Sequence, residues 1–213
     1  MQPEANTWGS NMLKTYRNIW FCGLAGSGKT TILNLLHNTI KNVEYLNDSF
    51  EIVEFVKNDV HQEHHRKPNP NSFVLTDSAA TYYSVKQLIS KVKASNKTTI
   101  IEMSRGVDKE NIVDFSYRYL FSQLDESLLQ NSLFIYIHTP FANRVERNNL
   151  RPLLSGKIDV FTSFRCPDEA MNRFFTNDDF FDALKKTPVN SLIILNNMPL
   201  EILKKRIVEL FAM

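Results

Sequence analysis

The sequence predicts an α/β domain organised around a largely parallel sheet, and three observations carry that expectation. Short apolar runs alternate with stretches of helical period along the chain, the order produced when strands are joined by crossover helices. Three of the six glycines fall within six positions, in "GLAGSGKTT" (residues 23–31), directly behind the apolar run "NIWFC". The 213 residues are enough for one sizeable core, with 43% hydrophobic and 23% charged residues, ordinary values for a globular chain.

Each element follows from its pattern. "NIWFC" (18–22) reads as strand one, with Cys22 at its buried end. Residues 30–40 place Ile32, Leu35, Leu36 and Ile40 at helical spacing. "VEYLN" (43–47) reads as a second strand. "SFEIVEFVKNDVHQEH" reads as a helix that "RKPNPN" (66–71) ends with two prolines. In "DSAATYYSVKQLISKVKAS", Asp77 or Ser78 serves as a cap, and Val85, Leu88, Ile89 and Val92 share one face. "TTIIEM" (98–103) is a buried strand with a carboxylate near its end. Asp108 is expected to cap a long helix reaching about Leu129. "LFIYIH" (133–138) is the fourth strand, and Pro140 introduces a basic helix, "FANRVERNNLR". "SLIILNN" (191–197) is the fifth. The last helix, "PLEILKKRIVELF", turns Leu200, Leu203, Ile207, Leu210 and Phe211 inward and leaves "KKR" in water. Residues 1–11 are polar and unpatterned and read as a flexible extension. Residues 12–213 read as a single domain without internal repeats.

The glycine cluster has the spacing G-x-x-x-x-G-K-T, with Gly23, Gly28, Lys29 and Thr30 at the defined positions. Such a loop turns successive backbone N–H groups inward, and the positive end of the following helix backs them, so that it holds a chain of phosphates. Gly23, Ala25, Gly26, Ser27, Gly28, Lys29, Thr30 and Thr31 are therefore the expected nucleotide-binding residues. Lys29 would reach the terminal phosphates, and the Thr30 hydroxyl would bind Mg²⁺. The expected ligands are ATP and Mg²⁺. The guanine-reading N-K-x-D is absent, and no aspartate has glycine three places on, which argues against a GTPase.

Beyond this loop, "FIYIHTPFANRVERNNLR" resembles the strand–Pro–arginine segment of nucleoside and nucleotide kinases, whose mobile lid brings arginines to the transferring phosphate. "LIILNNMPLEILKKRIVEL" is similar to their last strand, asparagine turn and final helix, and "TIIEMSRG" to the third strand of deoxynucleoside and thymidylate kinases. The resemblance implies a three-layer P-loop fold with five parallel strands in the order 2-3-1-4-5. It also implies an ATP-dependent transfer of the γ-phosphoryl group to a small acceptor: a nucleoside, a nucleotide or a related metabolite. The asparagine turn, with Asn197, would lie beside the adenine. Two departures stand out. Glu102 and Arg105 are separated by two residues where those families place the acid and arginine adjacent, and the acceptor region, 48–83, matches no family pattern.

Several residues then acquire candidate roles. Glu102 would bind Mg²⁺ through water or take the acceptor proton; the alternative is a strand-end carboxylate in water. Arg105 would hold the acceptor's charge, or form a structural salt bridge. Asp48 follows strand two, where related kinases put an acceptor-contacting acid, and it equally suits a helix cap. Arg144, Arg147 and Arg151 share one helical face in a lid spanning about 141–165, with Arg147 and Arg151 the expected phosphate contacts. In "TDSAATYY" (76–83), Asp77, Tyr82 and Tyr83 would line the acceptor pocket, or Asp77 would cap its helix. His61, His64 and His65 could form a metal site, touch the acceptor or sit in an exposed loop. "FRCPDEAMNRFF" would pack behind the lid or cover a substrate.

The net charge of +2 supplies no global field for nucleic acid, and no apolar run approaches the roughly 18 residues of a membrane helix. Cys22 and Cys166 offer neither a disulfide framework nor zinc spacing, and the start has no apolar leader core, so the expected home is the reducing cytoplasm. The expected partner is a small-molecule phosphate acceptor, with neither nucleic acid nor membrane; a homodimer is left open. Two other readings share the same machinery: a polynucleotide end kinase and a non-catalytic ATP-binding regulator.

Overall fold

A computed structural model describes residues 15–198 and 200–211. The expected N-terminal extension, Pro199 and the side chain of Leu200 lie outside the described residues. Five strands form one parallel sheet: β1 (Asn18–Gly23), β2 (Val43–Asn47), β5 (Thr98–Ser104), β6 (Ser132–His138) and β7 (Asn190–Leu195). Their order is β2-β5-β1-β6-β7, with every neighbouring pair parallel. Counting only these five, the order is the expected 2-3-1-4-5.

The two faces of β1 divide the core, because successive strand side chains point to opposite sides. Trp20 and Cys22 face a cluster with Val85, Leu88 and Val92 of α3 (Ala79–Ala94), Tyr117, Leu120 and Phe121 of α4 (Tyr117–Gln123), and Phe180 of α8 (Phe180–Lys186). Ile19 and Phe21 face the opposite cluster, with Ile32, Leu33 and Leu36 of α1 (Lys29–Thr39) and Leu203, Ile207 and Phe211 of α9 (Leu200–Phe211). Helices thus cover both faces of the sheet, the arrangement that an all-parallel sheet requires. Leu210 is partly buried against this second cluster.

Three local expectations need correction. The helix placed over 49–64 is α2 (Asp48–Asn58), and an antiparallel hairpin follows, β3 (His65–Asn69) and β4 (Ser72–Leu75). Pro68 lies in β3, whose other edge is unpaired in this two-stranded sheet, so its missing N–H costs no ladder bond. Pro70 and Asn71 make the turn, with Asn69 Oδ1 accepting from the Asn71 N–H at 3.0 Å. Asp108 caps no long helix. Its carboxylate accepts from the N–H groups of Glu110, Ile112 and Val113 at 2.8–3.0 Å and pairs with Arg173 at 2.7 Å. That loop delays the helix to Ser116, which caps α4, and α5 (Glu126–Gln130) follows separately behind Asp125. The basic helix is α6 (Phe141–Asn149), two residues shorter than its pattern.

Candidate active site

In an open parallel sheet, ligands bind outside the carboxyl ends of the strands, and the glycine-rich loop lies there between β1 and α1. Gly23, Gly26 and Gly28 have φ of 143°, 83° and 98°, values that L-residues with a Cβ rarely adopt. Close packing adds a second demand for glycine. A Cβ on Gly26 would come within 2.6 Å of the Arg144 carbonyl oxygen, and one on Gly28 within 2.6 Å of Asn196 Nδ2. Helix α1 starts at Lys29, so its unpaired first-turn N–H groups and its positive dipole end face the loop. Ala25 and Gly26 line the adjoining cleft, Ser27 is buried, and Thr31 is exposed on the first turn.

Lys29 is only 2% exposed. Its Nζ donates to the carbonyls of Gly23 and Leu24, each at 2.9 Å, and to Ser27 Oγ at 3.3 Å. Burial pulls its pKa down to about 8, opposed by the nearby carboxylates of Glu102 and Asp48. The ammonium is thus folded onto its own loop.

Glu102 stands opposite Phe21 of β1 and Asn47 of β2 in the sheet register. Thr30 Oγ1 donates to Glu102 Oε1 at 2.9 Å, and Asn47 Nδ2 donates to Oε2 at 3.1 Å. Burial raises the Glu102 pKa, while Lys29 and the Thr30 hydroxyl pull it back. A hydroxyl and a carboxylate in direct contact beside the phosphate loop are hard oxygen donors of the kind Mg²⁺ takes. Thr30 and Glu102 are therefore the side chains that could hold the ion, and they fit it.

The arginines separate. Arg144 is buried and committed to the chain: Nε donates to the Thr139 carbonyl at 3.0 Å, Nη1 to that of Phe175, and Nη2 to that of Thr176 at 3.2 Å. The shared-face expectation fails here because α6 packs directly on the loop, so its first arginine points into protein. Arg147 lies beside the loop, with Nη1 3.8 Å from a Cβ built on Gly28 and Nη2 within 3.5 Å of the Asn196 carbonyl. Arg151 lies past the end of α6 and lines the cleft, close enough to Glu102 that each shifts the other's pKa. Asn148 holds this segment by exchanging two hydrogen bonds with the backbone of Cys166, at 2.8 and 2.9 Å.

Asp48 and Arg105 are drawn away from the cleft. Asp48 is 0% and Arg105 1% exposed, paired at 2.9 Å. Asp48 also accepts from the Ser104 N–H at 2.9 Å, and Arg105 donates to Ser84 Oγ at 3.0 Å. Neither lines the cleft. The salt-bridge reading of Arg105 is the one the geometry bears out, because a charge that deep needs a partner. Asp48 is not the cap of α2; Asn47 is, accepting from the Ser49 N–H at 2.8 Å. Asp77 also lies outside the cleft. Its Oδ1 accepts from the Ala79 N–H at 2.8 Å and its Oδ2 meets His64 Nδ1 at 2.7 Å. His65 is buried against Asp59 at 2.8 Å, so His64 and His65 serve to pin the hairpin; His61 is exposed. In the asparagine turn, Asn196 makes the contact with the loop, donating to the Ser27 carbonyl at 2.7 Å; Asn197 is exposed.

From Lys29, Thr30 and Glu102 a cleft of about 940 Å³, including its open mouth, runs outward between the β3–β4 hairpin and α7 (Asp168–Phe174). Of its lining, sequence reasoning missed Asn47, Ser104 and Phe115, and it reached Ser49, Phe73 and Val74 only as part of the acceptor region 48–83. The run "SFVL" behind "PNPN" was the available signal for the hairpin wall. "FRCPDEAMNRFF" contributes Cys166, Ala170, Phe174 and Phe175, so this segment walls the cleft.

The sequence matches no protein-family profile and no curated protein. Its fold is similar to that of a gluconokinase from Sinorhizobium meliloti (TM-score 0.53, 14% identity, 92% of this chain and 91% of that one). A sugar kinase from a Janibacter species is similar as well (TM-score 0.51, 15% identity, 91% and 92%). With the loop geometry and the strand order, these similarities show that the chain has the three-layer α/β fold of P-loop kinases.

Proposed function

We propose that this protein is a kinase that transfers the γ-phosphoryl group of ATP, with Mg²⁺, to a hydroxyl of a small acceptor bound in the cleft. The observation that carries the reading is continuity. The phosphate loop, the Thr30–Glu102 contact and Arg151 open onto one cleft that continues between the β3–β4 hairpin and α7. A donor and an acceptor can thus lie end to end, where positioning supplies much of the rate.

The backbone N–H groups of the loop and the first turn of α1 would bind the phosphates. Lys29 exchanges the carbonyls of Gly23 and Leu24 for phosphate oxygens. Arg147 and Arg151 offset the charge on the transferring group. Mg²⁺, held through Thr30 and Glu102, would neutralise charge and orient the terminal phosphates. Glu102, whose pKa burial raises while Lys29 and the Thr30 hydroxyl pull it back, is placed to receive the acceptor's proton as the new oxygen–phosphorus bond forms and ADP departs. The kinase names of the similar folds are compatible with this chemistry. The test is Mg²⁺-dependent ATP consumption across a panel of nucleosides, nucleotides, sugars, aromatic alcohols and oligonucleotides. Acceptor-dependent turnover is the expected result, and slow hydrolysis indifferent to every acceptor would overturn the reading.

A further inference from the structure

One side chain touches three parts of the molecule at once. Asn47 ends β2, is only 2% exposed, and stands opposite Glu102 in the sheet register. Its Oδ1 accepts from the Ser49 N–H at 2.8 Å and so caps α2. The amide nitrogen donates twice, to Glu102 Oε2 at 3.1 Å and to the Val160 carbonyl at 2.8 Å. A cap needs only the oxygen, so capping leaves both of these bonds unexplained. Val160 belongs to the segment 150–167 that joins α6 to α7, and the same strand holds the next residue too. Side chains two apart on a strand share a face. Tyr45, two before Asn47, meets the Phe161 ring at a centroid distance of 5.3 Å, and His37 of α1 meets it at 4.3 Å. Strand β2 thus grips two consecutive residues of the segment, one by a hydrogen bond and one by aromatic packing. Arg151 before them and Thr162, Ser163 and Arg165 after them line the cleft.

Resting on the kinase reading, we infer that Asn47 is a positioning residue that ties the orientation of Glu102 to the docking of the 150–167 segment. The physical reason is that one planar amide serves both. Its plane is fixed by the cap bond and by the Val160 carbonyl, and the remaining N–H is then aimed at Glu102 Oε2. Oε1 is left to Thr30 Oγ1 at 2.9 Å. A carboxylate held at both oxygens cannot swing about its last bond, the kind of supporting contact on which a precise site depends. If the segment lifts away, the Val160 bond and the Phe161 contact break together. Asn47 then loses one of its fixings, and Arg151 leaves the neighbourhood of the carboxylate that it now influences. Phe161 is the second half of this latch.

Asn47→Ser tests the inference, because serine keeps the cap and removes both bonds of the amide nitrogen. Phe161→Ala loosens the segment without touching Glu102. Three quantities are measured on the full chain: amide hydrogen exchange across 150–165 in the nucleotide-free protein, ATP affinity, and steady-state transfer to the acceptor that the panel identifies. Exchange across 150–165 should quicken at least about threefold in both variants, the effect of losing one net contact that holds a local unit closed. Asn47→Ser should lower kcat about 10- to 100-fold, the range for one bond to a carboxylate. Its ATP affinity and its KM for the acceptor should stay within about threefold of the parent. A residue that only capped α2 would leave kcat and exchange unchanged in Asn47→Ser, and that result would overturn the inference. Faster exchange with an unchanged kcat in Asn47→Ser would overturn it as well, and so would unchanged exchange in Phe161→Ala. Failure of the kinase reading would appear instead in the parent chain, as no acceptor-dependent turnover, and the exchange series would still decide whether Asn47 holds the segment.

Discussion

Glu102→Gln separates binding from chemistry at this site. The substitution conserves shape, and the amide oxygen can still accept from Thr30 Oγ1, whose present bond is 2.9 Å. The second bond, from Asn47 Nδ2 at 3.1 Å, is lost, because an amide NH₂ would face it. A bond to a carboxylate is worth about 1.5–3 kcal/mol, and relief of a buried carboxylate offsets part of it, so the thermal midpoint should move by only several degrees. ATP should bind within a few-fold of the parent, since Lys29 and the loop N–H groups are untouched. Turnover should fall by a factor on the order of 10²–10⁴, the range for a positioned acid–base group, or about 3–5 kcal/mol of barrier. ATP titration and single-turnover transfer to the identified acceptor measure the two quantities. Turnover within about threefold of the parent would refute the assignment and place the catalytic carboxylate elsewhere.

Other outcomes follow from the same geometry. Lys29 has a folded pKa of about 8 against an ordinary 10.5, so the unfolded chain binds more protons between those values. Stability of the nucleotide-free protein should therefore rise with pH over that window, while ATP affinity falls as the ammonium is lost; Lys29→Met should flatten both curves in parallel denaturation and binding series. Arg147→Ala or Arg151→Ala should leave ATP affinity nearly unchanged and slow transfer by about 10²–10³; normal turnover in both would reduce these arginines to a solvated surface. Arg105→Ala strands the buried Asp48 charge and should cost about 3–5 kcal/mol in chemical denaturation, whereas an acceptor-binding role would appear as a raised KM in a stable protein. Competition binding should show ATP several-fold tighter than GTP, and equal affinities would remove the asparagine turn from base selection.

What could be read from the chain alone was whatever depends on local pattern. The five parallel strands, the loop between "NIWFC" and the first helix, and the inward face of the last helix rest on apolar periodicity and on glycine's freedom at positive φ. Those signals act over a few residues, so one sequence suffices to show them. The place of Glu102, near the end of an apolar strand, was legible for the same reason. The strand order came from resemblance and was then seen in the register of the sheet. What only the tertiary structure decided is which charges answer one another. Asp48 and Arg105, 57 positions apart, satisfy each other behind the cleft. Arg144 turns into protein because α6 packs against Gly26, whereas Arg151 reaches the cleft because Asn148 clasps the backbone of Cys166. Asp77 is held by its own helix and His64. A buried charge takes the nearest partner that the fold supplies, and nearness in space between distant segments leaves no mark in local spacing. The apolar part of the cleft wall has the same origin: Phe73, Phe115 and Phe175 look like ordinary core residues in the sequence. Only the folding of three separate segments against the sheet's carboxyl edge turns them into the lining of a pocket.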